Sequence, residues 1–275
     1  MCYVAIFASK FDPTSPAMRF RVKPILMILI VLFLLPIAVR AALYYATERP
    51  GTWRDADWSS AHLLAPAASD PAARVLVFSG RTGRWKGIFA VHSWIVVKPE
   101  NAENYIRYDL TGFGRPIHVN GWDPDGRWFG HTPHVVADIR GAAAAAAIPK
   151  IQAAIAAYPL AKPGDYRLWP GPNSNTFVAS VLRAVPELAV AMPPEAVGKD
   201  YRVDGTIFGL TGSGTGVEAS LWGLLGLKLG WVEGVELNLF TLVAGLDVRR
   251  PAIKLPGFGR IGIEEAAQAA TARPR

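Results

Sequence analysis

Ile25 to Val39 is fifteen residues without a charge, close to the N-terminal end of the sequence. Extended past Arg40 to Ala46, the run reaches the roughly 20 residues that a bilayer span requires. Arg19, Arg21 and Lys23 stand just before it. Basic flanks of this kind hold the preceding segment in the cytoplasm and place the rest of the chain outside. Two readings stay open. Residues 24–46 form an uncleaved signal anchor whose Arg40 snorkels to the interface, or Val39-Arg40-Ala41 is a processing site and the body is secreted. Under the first, the protein is a single-pass inner-membrane protein with its bulk in the periplasm. Residues 1–17 differ in character from the later chain, and Met18-Arg19-Phe20-Arg21-Val22-Lys23 reads as a natural start, with residues 1–23 cytoplasmic.

At 275 residues the chain holds one or two domains with a full core. Of its +7 net charge, residues 1–23 carry four basic groups against Asp12, which leaves only +4 for the rest. No basic cluster with interleaved aromatics is present, which argues against nucleic acid as a partner. Cys2 is the single cysteine, so disulfides, thiolate zinc sites and a cysteine nucleophile in the body are excluded. Nothing in the sequence calls for a metal or another cofactor. His131-Thr132-Pro133-His134 has no acidic third ligand nearby. Asp123-Pro124-Asp125-Gly126 lacks the later acidic ligands of a calcium loop and reads as a turn.

Residues 47–73 read as a linker, with Trp53 and Trp58 either at the membrane interface or packed back on the body. From Arg74 the pattern turns to strands: Val75–Phe78, a turn at Gly80–Gly83, then Ile88–Val97, Tyr105–Leu110 and Ile117–Val119. His92 interrupts an apolar strand, where an imidazole costs burial energy unless a partner satisfies it. Ala142–Tyr158 is helical by its face of Ile148, Ile151, Ile155 and Tyr158, with Pro149 marking the first turn of a second segment.

An aromatic run, Asp165–Trp169, then leads into Pro170-Gly171-Pro172-Asn173-Ser174-Asn175-Thr176-Phe177. The prolines and glycine force a turn, Asn-Ser-Asn supplies capping side chains, and Phe177, Val181 and Val185 begin an apolar helix stripe. Ser174 therefore sits at a helix N-terminus, where free N–H groups and the positive dipole end collect. It is either a cap or a nucleophile. For a serine to act, it needs a base, an orienting group and an oxyanion hole. His92 is the candidate base and Asp109, on the next strand, the candidate orienter. Asn173, Asn175, Trp94 and Trp169 are candidates for contacting substrate. No Gly-x-Ser-x-Gly elbow is present.

Beyond Gly212–Gly216, which lacks a phosphate-loop ending and reads as a flexible turn, the period is two. Val217, Ala219, Leu221, Gly223, Leu225, Leu227 and Leu229 share one face against Glu218, Ser220, Trp222 and Lys228. Val235, Leu237, Leu239 and Val243 repeat it after Glu233-Gly234. The expectation is a long C-terminal β-hairpin within residues 201–263, its leucine face packed on the main domain or on a partner, with a polar tail over 264–275. A face of this size left exposed would mark a binding or membrane-surface site.

A histidine strand followed by a helix opening on Asn173-Ser174-Asn175-Thr176-Phe177 resembles the circularly permuted papain-like superfamily, which includes lecithin-retinol acyltransferase-type enzymes and PPPDE peptidases. The resemblance covers about residues 74–190 and has serine where that superfamily carries its nucleophilic cysteine. It implies an α+β fold, an antiparallel sheet with packed helices over 74–200, and hydrolase or acyltransferase chemistry. The exchange matters, because a helix dipole worth at most about 2 kcal/mol does not ionise a serine hydroxyl. Val91-His92-Ser93-Trp94, Trp169–Phe177 and Lys254-Leu255-Pro256-Gly257 also resemble an uncharacterised family of bacterial membrane-anchored proteins. Three functions stand as expectations: a serine-dependent amide or ester hydrolase or acyltransferase of the cell envelope, an inactive cleft that binds a peptide, glycan or lipid, or a structural protein docking a partner through its hairpin.

Overall fold

The computed structural model describes residues 16–47 and 52–263. Cys2 and the segment before Pro16, Pro50-Gly51, and the 264–275 tail lie outside the described residues. The N-terminal column is α1 (Pro16–Leu29), a π-helical turn (Ile30–Leu34) and α2 (Leu35–Thr47). The Leu35 N–H bonds the Ile30 carbonyl, five residues back. That wide turn stands directly before Pro36, which has no N–H to give and whose ring crowds the carbonyl four residues back. Lys23–Ala46 is long and apolar enough to cross a membrane, compatible with a single-pass anchor or a signal sequence. Most of its side chains are exposed, but Phe33, Pro36 and Tyr44 are buried along one stripe that rests on the body.

The body is α+β, with two antiparallel sheets. The first has the order β4-β3-β2-β1-β5, made of β1 (Arg74–Arg81), β2 (Val91–Lys98), β3 (Ile106–Leu110), β4 (Ile117–Val119) and β5 (His134–Arg140). β1 runs on through Arg81 into the turn expected at Gly80–Gly83. Ile88, expected to open the next strand, ends a 3-10 turn (Arg84–Ile88) instead, and β5 is a strand beyond those expected. One face of this sheet, with Val75, Val77, Ile95 and Val97, packs on α3 (Ala142–Ala156) and α4 (Ser174–Ala184). α3 is a single helix with Pro149 inside it, not two segments, because Ile148, Ile151 and Ile155 are all buried on one stripe. The other face carries a second cluster of Leu76, Phe78, Trp94, Val96 and Trp128. The 52–64 segment covers that cluster: Trp53 and Trp58 pack on Trp128 and Phe129. Buried Asp125 clamps it by accepting from Ser60 Oγ (2.7 Å), Leu63 N (2.6 Å) and Leu64 N (3.1 Å).

The C-terminal region is not one long hairpin but most of a seven-stranded sheet in sequential order. Its strands are β6 (Phe208–Leu210), β7 (Gly216–Leu221), β8 (Leu225–Gly230), β9 (Gly234–Leu239), β10 (Leu242–Asp247), β11 (Ala252–Leu255) and β12 (Gly259–Gly262). The long strand expected over 217–229 folds back at Trp222-Gly223, both at positive φ (50° and 72°), the backbone that tight hairpin turns demand. The faces are also opposite to expectation. Leu225, Leu227, Leu229 and Leu237 point outward, while Glu218, Lys228, Glu236 and Asn238 are buried against the body. They meet Lys199 and Asp200 there: Lys199 Nζ bonds Asp200 (3.2 Å) and Glu236 (2.5 Å), Lys254 bonds Glu236 (2.6 Å), and Lys228 bonds Asp200 (2.5 Å). Glu218 takes Arg183 (2.9 Å) and Arg202 (2.5 Å).

Burial alone would raise the Glu236 carboxyl, but Lys199, Lys254 and Lys228 together hold it below its ordinary 4.5. Asp200 behaves alike between Lys199 and Lys228. Carboxylates depressed in the folded state stabilise it above their unfolded pKa, and that contribution fades as pH falls toward the folded values. Thermal unfolding should therefore be insensitive to pH between 7 and 5 and drop once pH passes below about 4.5. Glu236→Leu leaves Lys199 and Lys254 short of a partner and should cost about 3–5 kcal/mol in denaturant unfolding.

Candidate functional site

β2 is the middle strand of the first sheet. His92 and Trp94 alternate onto the face that carries the aromatic cluster, and Arg107 and Asp109 of β3 reach the same face. His92 Nε2 meets Asp109 Oδ1 at 2.8 Å. Asp109 is fully buried and is gripped by Arg107 through Nε (2.7 Å) and Nη2 (2.9 Å), a two-pronged guanidinium–carboxylate pair. Arg107, also fully buried, donates Nη1 to the Asp123 carbonyl (2.7 Å) and lies 4.0 Å over the Trp94 ring. The His92 ring stacks on Trp128 at 3.8 Å with 9° between planes.

These contacts set the protonation states. Burial lowers the His92 pKa below its ordinary 6.5, outweighing the pull of Asp109. Burial pushes Asp109 upward, but Arg107 and the His92 hydrogen bond overcome it and keep the carboxyl below its usual range. The resting pair is a carboxylate and a neutral imidazole. With Nε2–H directed at Asp109, Nδ1 is the nitrogen left to accept a proton.

α4 approaches the same end of β2. Asn173 caps it, its Oδ1 accepting from Asn175 N (2.9 Å) and Thr176 N (3.2 Å), while Thr176 Oγ1 stands 3.1 Å from Asn173 N to close a capping box. Asn173 Nδ2 donates to the Leu168 and Val197 carbonyls at 3.1 and 3.0 Å. Asn175 Nδ2 bridges the Val91 and Val197 carbonyls, both at 2.8 Å. The residue after Ser174 is thus tied directly to the residue before His92. Gly198 leaves no room for a side chain here, since a Cβ would fall 2.5 Å from Asn173 Nδ2.

His92 and Ser174 line one cavity of about 450 Å³. Its wall is largely aromatic, with Trp85, Phe89, Phe113, Phe129, Tyr166 and Trp169, and its polar groups are few. Such a chamber suits a mostly apolar ligand oriented by a small polar cluster. Ser174 is buried, and Tyr166 lines the same cavity close beside it. Burial nevertheless raises the Tyr166 pKa, so the hydroxyl stays protonated.

Of the residues singled out from sequence, His92, Ser174, Asn173, Asn175 and Trp169 line this cavity, and Asp109 lies behind His92. Trp94 does not reach it. Its ring is fully buried, stacked on Phe78 at 5.5 Å and bonded through Nε1 to the Pro124 carbonyl (2.9 Å), so it supports the Arg107 guanidinium instead of touching a substrate. Asn173 and Asn175 spend their amide N–H groups on backbone, which makes them framework. Sequence reasoning missed Arg107, Tyr166 and Trp128. Arg107-Tyr108-Asp109 carried a signal, since residues two apart on a strand share a face. Tyr166 and Trp128 carried none.

A further cavity of about 490 Å³ opens between the two sheets, lined by Arg81, His131, His134, Glu195, Asp247 and Arg260 among others. Within it Arg260 pairs with Asp247 (2.9 Å). Among the described residues no group of three or more His, Cys, Asp or Glu is arranged to hold a metal ion.

Residues 72–201 match the model of a family described as protein of unknown function (DUF3750). No curated protein and no solved structure matches the chain. The matched stretch contains the first sheet, both body helices and every polar group around the cavity, and it ends before the seven-stranded sheet.

The buried Arg107–Asp109–His92 chain predicts two outcomes. By NMR, the His92 imidazole should remain neutral at pH 6.5. Arg107→Met, which strands the Asp109 carboxylate, should cost about 3–5 kcal/mol of stability.

Proposed function

We propose that the chain is a membrane-anchored hydrolase or acyltransferase of the cell envelope, acting on an ester or amide whose acyl part is apolar. The observation that carries this reading is the fully buried Arg107–Asp109–His92 chain, which ends in the same aromatic cavity as a serine at a helix N-terminus. Ser174 Oγ attacks the carbonyl carbon as its proton passes to His92 Nδ1. Asp109 holds the ring and balances the imidazolium that forms. The oxyanion is met by the Ser174 amide at the start of α4 and by the Tyr166 hydroxyl, which lines the same cavity. The imidazolium then protonates the leaving group, and water or an acceptor hydroxyl releases the acyl group by the reverse sequence. The order of the histidine strand and the nucleophile helix is that of the permuted papain-like enzymes, with serine in place of cysteine. Arg19, Arg21 and Lys23 ahead of the span support a body on the periplasmic side.

The contact of Ser174 with Tyr166 favours a second reading, in which the cavity binds an acyl chain or other apolar ligand without turnover. A fluorophosphonate probe separates the two. Under the catalytic reading, the wild-type protein is labelled, Ser174→Ala is not, and His92→Ala reacts roughly 10²–10⁴-fold more slowly. Equal labelling of wild type and Ser174→Ala, or none in either, refutes the serine mechanism.

The labelling rate should also report His92. A base whose pKa is lowered from 6.5 is mostly neutral at that pH, so the rate should fall with acid at lower pH than it would for an ordinary imidazole.

A further inference from the structure

The seven-stranded sheet turns its polar face inward and its apolar face outward. Leu227 is 45 % exposed, Leu229 46 %, Val217 58 % and Ile253 45 %, whereas Lys228 and Glu236, on the opposite side of the alternation, are buried. A sheet face of this kind in water runs against the hydrophobic effect. Three further observations say what covers it.

The sheet touches the membrane-spanning helix: β10 packs on the π-helical turn Ile30–Leu34, which lies inside the apolar stretch Lys23–Ala46. Ala244 is buried, while its cross-strand partner Leu237 remains open. Parts in contact share an environment, so where that turn lies in lipid the sheet beside it does not lie in bulk water. The turns of the same sheet carry exposed Trp222, Trp231 and Phe240, side chains that favour the headgroup region. The charges behind the face are mutually neutralised against the body, so none is driven toward lipid.

We propose that the outer face of this sheet rests on the bilayer, in the leaflet that faces the body, as a second membrane contact beside the helix. Only side chains enter the acyl boundary. The edge strands β6 and β12 carry unpaired backbone groups, which hydrocarbon does not tolerate. The proposal rests on Lys23–Ala46 being retained as a span and is independent of any activity at Ser174.

The test uses the full chain in phosphatidylethanolamine–phosphatidylglycerol vesicles. In a Cys2→Ser background, a nitroxide is placed singly at Leu227→Cys and Leu237→Cys. Leu32→Cys in the span and Glu103→Cys on the body serve as references. All four positions are exposed, so the label displaces no packed neighbour. The expected result is a ratio of oxygen to nickel-chelate collisions at 227 and 237 severalfold above that at 103 and approaching that at 32. A ratio equal to that at 103, with 32 reading as lipid, overturns the proposal and leaves the span intact. Low collision with both reagents, together with a short label-to-label distance between chains, also overturns it and assigns the face to a second copy. If 32 itself reads as water, the span fails and the proposal with it.

Discussion

Between the body and the seven-stranded sheet, three lysines (Lys199, Lys228, Lys254) meet three carboxylates (Asp200, Glu218, Glu236) out of reach of water. Ions taken from water into such a place are tolerated only when each finds opposite charge and hydrogen bonds. This requirement fixes the register of the joint more strictly than leucine packing would, because apolar side chains tolerate a slip and paired charges do not. β8 and β9 align Lys228 with Glu236, and β7 and β8 align Glu218 with Lys228. Lys199 and Asp200 come from the segment that also supplies Val197 and Gly198 to the cap of α4. The ionic joint and the frame around Ser174 are thus one continuous stretch of chain.

The same physics operates at smaller scale around His92. Asp109 is ionised inside protein because Arg107 neutralises it, and Arg107 is tolerated there because Trp94 and the Asp123 carbonyl take its face and a further donor. The imidazole is the neutral member, held by one hydrogen bond and by the stacked Trp128. A histidine serving only as filler needs no buried Arg–Asp pair behind it. Desolvating two charges to orient one ring is costly, and it yields a base with a fixed tautomer facing an aromatic chamber.

How much of this is legible in the sequence varies with how local the signal is. The span is legible, since length and hydropathy need no tertiary contact. The meeting of His92 with Asp109 is also legible, as both lie on strands of unambiguous period and adjacent order. The capping role of Asn173 comes from the turn chemistry. Trp128 and Tyr166 are not legible, because they reach the cavity from loops whose course is set by contacts far along the chain. In the C-terminal region the period of two is correct, but Gly223 fits the alternation and hides the turn that Trp222 and Gly223 make together. Phe240 and Thr241, also at positive φ, turn the next hairpin in the same way. The facing is hidden for a different reason. Equating apolar with inward puts the leucines on the wrong side, and only the partners at Lys199 and Asp200 reveal that the inward side of this sheet is the charged one.

The apolar N-terminal helix and the cavity are joined more closely than a tether implies. Tyr44 of α2 is buried and donates its hydroxyl to the Arg84 carbonyl at 2.7 Å. Arg84 opens the 3-10 turn whose next residues, Trp85 and Lys86, line the cavity, as Phe89 does just beyond it. Gly87 admits this contact because it has no side chain, its Cα facing the Tyr44 ring and the Thr82 carbonyl. The aromatic wall is therefore built on the last turns of the apolar N-terminal helix, and Trp85 is exposed beside it. Such a chamber matches an apolar group, whereas a polar solute would have to pass a rim of indole and phenyl rings.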